Sequence, residues 1–262
     1  MQIIKTRPDY DIVKRNLTNR RATFAIEKNA NTATIVCNNK KTAIYRATIE
    51  KNQKYFRKAG IGAVIRTVHS QVRKFGRESL MAGELIKPVS PDYSASYRDA
   101  KGFKYLPMGA ELCIIDIKHA YWIVAYNMGL ISKKTYDLYA DNPEYKLARN
   151  IALSTLTSKK EREYFVKGIH KYTIVCDNGL QKLIYANIRQ TTYNLIGDLS
   201  EMLGSACYGY RVDGLVALYD FEVVKESKEY FKKHNVKFEI TRYIKVSDTH
   251  MKNSNSGELK KF

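Results

Sequence analysis

Two aspartates stand beside apolar runs, where a carboxylate is poorly placed for packing but well placed to hold a hard cation. Asp116 follows the apolar residues 112–115, and Asp213 lies in a turn just before the apolar residues 215–218. Mg²⁺ is commonly held by one or two carboxylates together with water and substrate phosphates. Two such ions can stabilise the attacking and leaving oxygens of an in-line displacement. The pair therefore indicates metal-assisted chemistry on a phosphate-containing substrate.

The charge of the chain indicates what that substrate is. Its 262 residues include 45 Lys and Arg against 26 Asp and Glu, a formal net charge of +19. An excess of this size favours binding to a polyanion, above all to nucleic acid. The 20 tyrosines add aromatic faces that can stack on bases. The expected partner is DNA, with RNA as the alternative.

Three short motifs follow one another along the chain. In the first, an apolar run ends in Asp116, and Tyr121 comes five residues later. In the second, Lys146 is followed four residues later by Asn150, which places both on one face of a helix. In the third, a Tyr-Gly pair leads into a turn that carries Asp213. In kind and in order, these motifs resemble those of the palm of family B DNA polymerases.

The resemblance covers roughly residues 108–246 and implies a polymerase palm. The short stretch between Asp116 and Lys146 leaves room only for reduced, short fingers, and the residues before the palm are too few for an exonuclease domain. It implies that Asp116 and Asp213 are the catalytic residues and hold two Mg²⁺ ions. Nucleoside triphosphates then become expected partners as well. The predicted function is that of a compact palm-type nucleotidyltransferase acting in viral or mobile-element DNA replication or repair.

The same resemblance implies where the nucleotide binds. Lys146 would meet the triphosphate, Asn150 would line the nucleotide site, and Tyr121 would lie under the sugar. Arg149 stands beside Asn150 and is a further candidate for phosphate contact.

Two alternatives stay open. Asp92 after Pro91, with the later pair Asp116 and Lys118, resembles the Pro-Asp and Asp/Glu-x-Lys pattern of a nuclease superfamily. There the two carboxylates would bind Mg²⁺ and the lysine would orient the attacking water. The other alternative is a non-catalytic nucleic-acid-binding protein with a degenerate palm. Arg211 stands where the polymerase motif has its first Asp, and a cation there could neutralise the remaining carboxylate.

The order of elements from residue 111 predicts an α+β fold. Apolar periodicity indicates a strand, two helices, a strand, a helix, a hairpin, a helix and a final strand. Such an order is typical of an antiparallel sheet with helices packed on one face. The predicted division is a basic N-terminal α+β region at residues 1–106, the palm with minimal fingers at 107–246, and a disordered polar tail at 247–262.

The cysteines and the hydropathy indicate the compartment. Cys113 and Cys207 lie in apolar runs and are predicted to be buried thiols, and the four cysteines lack metal-ligand spacing. No apolar stretch reaches about 18 residues, so no membrane span is expected. These features predict a cytoplasmic protein in a reducing compartment, which would be the host cytoplasm if the protein is viral.

Overall fold

The computed structural model describes most of the chain. The described residues are 2–4, 7–29, 32–38, 40–46, 61–82, 97–157, 160–176 and 179–262. The chain divides into two compact units, each assembled from two stretches of sequence. The first unit comprises Met1–Arg77 and Asp141–Tyr185, and the second comprises Glu78–Ala140 and Ala186–Phe262.

Both units contain strands and helices. The strands of the described residues are β1 (Gln2–Ile4), β2 (Phe24–Asn29), β3 (Thr32–Cys37), β4 (Lys40–Arg46), β5 (Tyr97–Arg98), β6 (Glu111–Ile117), β7 (Lys160–Val166), β8 (Ile169–Cys176), β9 (Cys207–Arg211), β10 (Gly214–Leu218), β11 (Phe238–Ser247), β12 (His250–Asn253) and β13 (Leu259–Lys261). The α-helices of the described residues are α1 (Arg7–Asn19), α2 (Ile61–Met81), α3 (Ala100–Tyr105), α4 (Ala120–Asn127), α5 (Lys133–Ala140), α6 (Lys146–Ser154), α7 (Gly179–Leu203) and α8 (Phe221–Lys233). The predicted α+β class is confirmed.

The first unit is built on a six-stranded sheet in the order β1-β4-β3-β2-β7-β8. Adjacent strands in this sheet are antiparallel except for the parallel pair β1 and β4. Ile26, Ile35 and Ala43 are direct cross-strand partners and are fully buried. Since partners in register project from the same face, they form one apolar layer. Tyr10 of α1 packs against this layer.

The division of the chain differs from the predicted boundary at residue 106. Residues 141–185 were expected in the palm, but they belong to the first unit with the N-terminal strands. The cause is the pairing of β7 with β2, in which Phe24 and Phe165 are partners and their ring centroids lie 4.6 Å apart. Because these segments are far apart in sequence, no local pattern of residues predicts that they pair.

The second unit is built on a seven-stranded sheet in the order β13-β12-β11-β6-β10-β9-β5, with all neighbours antiparallel. Along β6, side chains alternate between two faces, as the period of a strand requires. Cys113 and Ile115 lie on one face and are fully buried. Helix α7 contacts this face, since Ser200 Oγ donates a hydrogen bond to Cys207 Sγ at 3.2 Å. Asp116 projects from the opposite face.

The second sheet curls so that its two edges meet over the face that carries Asp116. The edge strand β5 supplies Arg98, and Phe262 follows the other edge strand, β13. The guanidinium carbon of Arg98 lies 4.8 Å from the centroid of the Phe262 ring. Phe262 also packs in the cluster that includes Leu112 and Ile114 of β6. The Asp116 face is therefore the concave face of the sheet.

The prediction of a disordered tail at residues 247–262 is wrong. Strand β12 pairs with β11, and β13 pairs with β12. Met251 and Phe262 are buried, and the Phe262 ring stacks on that of Phe103 with centroids 4.0 Å apart. Two apolar side chains and continuous strand pairing thus hold a segment whose average composition is polar.

A buried lysine joins β11 to α3. The Nζ of Lys245 donates hydrogen bonds to the backbone oxygens of Lys104 at 2.7 Å and Leu106 at 2.6 Å. It therefore satisfies carbonyl groups that the end of a helix leaves without partners. Asp248 lies 3.5 Å from the same ammonium group and offsets its charge.

No helix in the described part of the chain is long and apolar enough to cross a membrane.

Candidate active site

The pairing of β6 with β10 brings the two predicted catalytic aspartates to the same end of the second sheet. Asp116 is paired with Gly214, the residue that follows Asp213. Asp213 occupies the two-residue turn between β9 and β10. Its backbone oxygen accepts a hydrogen bond from the N–H of Ile117 at 2.8 Å. The backbones that carry the two carboxylates are thus fixed against each other.

Gly214 leaves room for the carboxylate of Asp116. A Cβ atom at position 214 would lie 2.8 Å from Asp116 Oδ1 and 3.1 Å from the backbone oxygen of Ile115. The first distance is shorter than real side chains tolerate, so the carboxylate occupies space that only glycine leaves open. The glycine therefore lets Asp116 lean over β10, the strand that begins beside Asp213.

A cavity of about 410 Å³ lies on this concave face. Its volume falls within the range of ~300–1,000 Å³ typical of ligand pockets. Both carboxylates and four cationic side chains line it. These charged lining residues are Asp116, Asp213, Arg98, Arg211, Lys260 and Lys261. More cationic than acidic residues line this one cavity. It therefore favours an anionic ligand that also carries or recruits a metal ion.

Arg211 shares the face of Asp116. Glu239, Asp116, Gly214 and Arg211 form one row of direct partners across β11, β6, β10 and β9. Partners in register project from the same face. Gly214 on β10 lies between Asp116 on β6 and Arg211 on β9, so one strand separates the two charged residues. Both Arg211 and Asp213 are exposed, so solvent and a ligand can reach them.

The chemistry of this donor set fits Mg²⁺ in the presence of a phosphate. Among the described residues there is no group of three or more His, Cys, Asp or Glu side chains that could hold a metal ion unaided. Mg²⁺ sites in phosphate-transferring proteins commonly have one or two carboxylates and draw their remaining ligands from substrate and water. Asp116 and Asp213 match that pattern.

The residues predicted to bind the nucleotide belong mostly to the first unit. Lys146 and Asn150 are both exposed on one face of α6. Arg149 is only 2% exposed, and its Nη1 donates to the backbone oxygen of Asn142 at 3.2 Å. This placement argues against the predicted phosphate contact of Arg149, because its guanidinium group braces the preceding turn.

Tyr121 lies in the second unit with the two aspartates. The chain reverses from β6 into α4 through His119, whose φ of 56° is left-handed. Tyr121 follows in the first turn of α4 and is half-buried. It is not one of the described residues that line the cavity.

Only two of the three residues that the nuclease alternative requires, Asp116 and Lys118, lie in the described part of the chain. Asp92 lies outside the described residues. Lys118 is exposed, and its Nζ lies 3.4 Å from Glu239 Oε2. Because Glu239 is the direct partner of Asp116, this lysine stands beside two carboxylates on the concave face.

Three of the cationic residues that line the cavity were not predicted from the sequence. Arg98, Lys260 and Lys261 were not predicted as site residues, and the two lysines fell in the segment expected to be disordered. The only signal was a Lys-Lys pair followed by an aromatic residue. Their place in the site depends on the curling of the sheet, which no short motif encodes.

A scan against protein-family models, a search of curated proteins and a search of solved structures found no match to the chain.

Proposed function

We propose that this protein is a compact, Mg²⁺-dependent palm-type nucleotidyltransferase that extends DNA in the replication or repair of a viral or mobile-element genome. The observation that carries the proposal is the position of Asp116 and Asp213. They stand at one end of a curled antiparallel sheet and line the same ligand-sized cavity as four cations.

In this proposal the two carboxylates hold the metal and the surrounding cations hold phosphate. When bound, Mg²⁺ supplies charge stabilisation to the reacting phosphoryl group and lowers the pKa of the attacking hydroxyl. Arg211 shares the face of Asp116 and offsets negative charge that builds up on phosphate oxygens. The backbone hydrogen bond from Ile117 to Asp213 keeps the two aspartates in fixed positions. Positioning of the reacting groups is a main contribution of a protein to phosphoryl transfer.

Recognition of the nucleotide is proposed for residues outside the cavity. Lys146 and Asn150 share an exposed face of α6, as contact with a triphosphate requires. Tyr121 follows the strand of Asp116 and is proposed to contact the sugar. Nucleoside triphosphates and a DNA strand are the proposed substrates, with RNA as the alternative strand.

The test is nucleotide incorporation on a primed DNA template with and without Mg²⁺. Asp116→Asn and Asp213→Asn keep the size of the side chain and remove its charge. We expect each to lower incorporation by at least about 100-fold, since each removes a metal ligand from the transition state. Binding of DNA in EDTA should be retained. Asp137→Asn, at an exposed position on α5, is the matched control and should leave the rate unchanged.

Incorporation at the wild-type rate by the double variant would refute the proposal. Failure of the wild-type protein to incorporate any nucleotide, while it binds DNA, would favour the non-catalytic alternative.

A second candidate is a Mg²⁺-dependent nuclease, which one observation favours. Lys118 and Glu239 lie 3.4 Å apart beside Asp116, which places a lysine and two carboxylates on one face of adjacent strands. That activity would cleave DNA without nucleotides. It would be lost in Lys118→Ala and in Asp116→Asn but kept in Asp213→Asn, whereas the polymerase proposal predicts no such cleavage.

A further inference from the structure

Three cations from the two edges of the second sheet converge on one cavity. Arg98 belongs to the edge strand β5, and Lys260 and Lys261 belong to the opposite edge strand, β13. All three are exposed, and all three line the cavity that contains the catalytic aspartates. A ligand in that cavity can therefore contact both edges of the sheet.

The end of β13 is held rigidly in this position. The N–H of Phe262 donates to the backbone oxygen of Thr249 at 2.9 Å. The Phe262 ring stacks on Phe103 with an interplanar angle of 5°. Arg98 in turn covers the Phe262 ring, so its guanidinium position is set by the same aromatic stack. A guanidinium group that lies on a ring keeps N–H groups available at its edge for phosphate oxygens.

Acidic side chains of the described residues do not neutralise these three cations. Within the described part of the chain, none of the three forms an ion pair with an acidic side chain. Lys260 Nζ lies over the Tyr243 ring at 6.0 Å from its centre, and the residue is exposed. Cations that are positioned before the ligand arrives lose less entropy when they bind it.

The arrangement of the lysines distinguishes a strand from a compact triphosphate. Lys260 and Lys261 are consecutive residues of β13, and successive side chains of a strand point to opposite faces. Their side chains therefore leave the strand on opposite sides, so the two ammonium groups stand apart at the edge of the cavity that both residues line. Spread cations suit phosphates that repeat along a backbone, which bind mainly through such electrostatic contacts.

We propose that Arg98, Lys260 and Lys261 form a clamp that binds the backbone of the DNA strand whose end reacts at Asp116 and Asp213. This inference rests on the proposed function, since it names the part of the substrate that the cavity rim holds. The segment expected to be a disordered tail thus becomes a wall of the substrate site.

The test is the affinity of a fluorescent single-stranded DNA oligonucleotide, measured in EDTA at several salt concentrations. Each lost contact with a single strand lowers the slope of log K against log salt by about 0.7. The double variant Lys260→Ala/Lys261→Ala should therefore lower the slope by about 1.4 and weaken binding by about tenfold at ~0.1 M salt. The KM for the incoming nucleotide should not change at saturating DNA.

Two further variants serve as controls. Lys232→Ala/Lys233→Ala makes the same change in net charge at the end of α8, away from the residues that line the cavity, and should alter affinity by less than about twofold. Lys260→Arg/Lys261→Arg retains both charges and should bind DNA as the wild-type protein does. Thermal unfolding of each variant shows whether the fold is kept.

Two results would overturn the clamp. One is an unchanged affinity and salt slope in the folded Lys260→Ala/Lys261→Ala variant. The other is an increase in the nucleotide KM with unchanged DNA affinity, which would assign the lysines to the triphosphate. Because binding in EDTA needs no catalysis, a protein that binds DNA through these lysines but incorporates no nucleotide would refute the proposed function alone.

Discussion

Asp116 and Gly214 are direct partners across β6 and β10, and Asp116 Oδ1 lies 2.8 Å from the point where a Cβ of residue 214 would stand. The position of the Asp116 carboxylate therefore depends on the absence of a side chain at the neighbouring position. This relationship ties the geometry of the site to one glycine that has no chemical role of its own.

Replacing Gly214 tests that dependence. In Gly214→Ala the new methyl group would lie 2.8 Å from Asp116 Oδ1 and 3.1 Å from the backbone oxygen of Ile115, so the carboxylate has to move. We expect Mg²⁺-dependent incorporation to fall by at least about tenfold, since small misplacements of a catalytic group are costly. DNA affinity in EDTA should stay within about twofold of the wild-type value.

Gly197→Ala is the matched control for this change. Gly197 lies inside α7, and within the described part of the chain no atom beyond its sequence neighbours and the nearby helix backbone lies within 4 Å of its Cβ position. Alanine there should stabilise the helix by up to about 1 kcal/mol and leave incorporation unchanged. Full activity in Gly214→Ala would show that the position of Asp116 is not limiting.

Arg211 is expected to assist the reaction and not to block it. It projects from the same face as Asp116 and lines the same cavity. Arg211→Ala should lower kcat/KM for incorporation by about tenfold, because a cation that offsets developing phosphate charge is lost. A rise in activity or in Mg²⁺ affinity would instead show that Arg211 neutralises the metal site, as the non-catalytic alternative requires.

The buried Lys245 is predicted to be a structural residue. Lys245→Met keeps an unbranched side chain but leaves the backbone oxygens of Lys104 and Leu106 without their donor. We expect a loss of about 2–4 kcal/mol in the free energy of unfolding, measured with urea. Lys252→Met, at an exposed position on β12, should change it by less than about 0.5 kcal/mol. Equal stability of both variants would contradict the structural role of Lys245.

The cysteines should differ in their reaction with an alkylating reagent. Burial raises the pKa of the Cys113 thiol from its ordinary value of 9.0 to about 12. In the native protein at pH 8, mass spectrometry should therefore find Cys113 unmodified and the half-buried Cys37 modified. Rapid modification of Cys113 in the native state would contradict its burial.

The same pKa predicts a pH dependence of stability. Because folding raises the pKa of Cys113, the neutral thiol favours the folded state. This contribution is complete below about pH 9 and is lost as the pH rises toward about 12. Cys113→Ala should accordingly show a shallower loss of stability than the wild-type protein above pH 9, when unfolding is followed in urea at each pH.

Local patterns in the sequence predicted part of the fold correctly. The apolar run that ends in Asp116 became β6, and the turn of Asp213 became the tip of a hairpin. Both depend on alternation over a few residues, which sequence reveals directly. The predicted burial of Cys113 and Cys207 is confirmed.

Features that depend on distant pairing were not predictable from local patterns. The pairing of β7 with β2 moved residues 141–185 into the first unit. The curling of the second sheet brought Arg98 to Phe262, although Arg98 lies on one edge strand and Phe262 follows the other. The burial of the Arg149 side chain was likewise not predictable from its place on the helix, because its guanidinium group donates a hydrogen bond to the backbone oxygen of Asn142.

The most direct measurement of metal binding at Asp116 and Asp213 is the electron paramagnetic resonance of Mn²⁺, used as a substitute for Mg²⁺. It should be made with primed DNA and a non-hydrolysable nucleotide present, since phosphates complete the proposed site. The proposed site predicts tight Mn²⁺ binding in the wild-type protein, at least about tenfold weaker binding in Asp116→Asn and in Asp213→Asn, and unchanged binding in Asp137→Asn. Undiminished Mn²⁺ binding in the Asp116→Asn/Asp213→Asn double variant would contradict it.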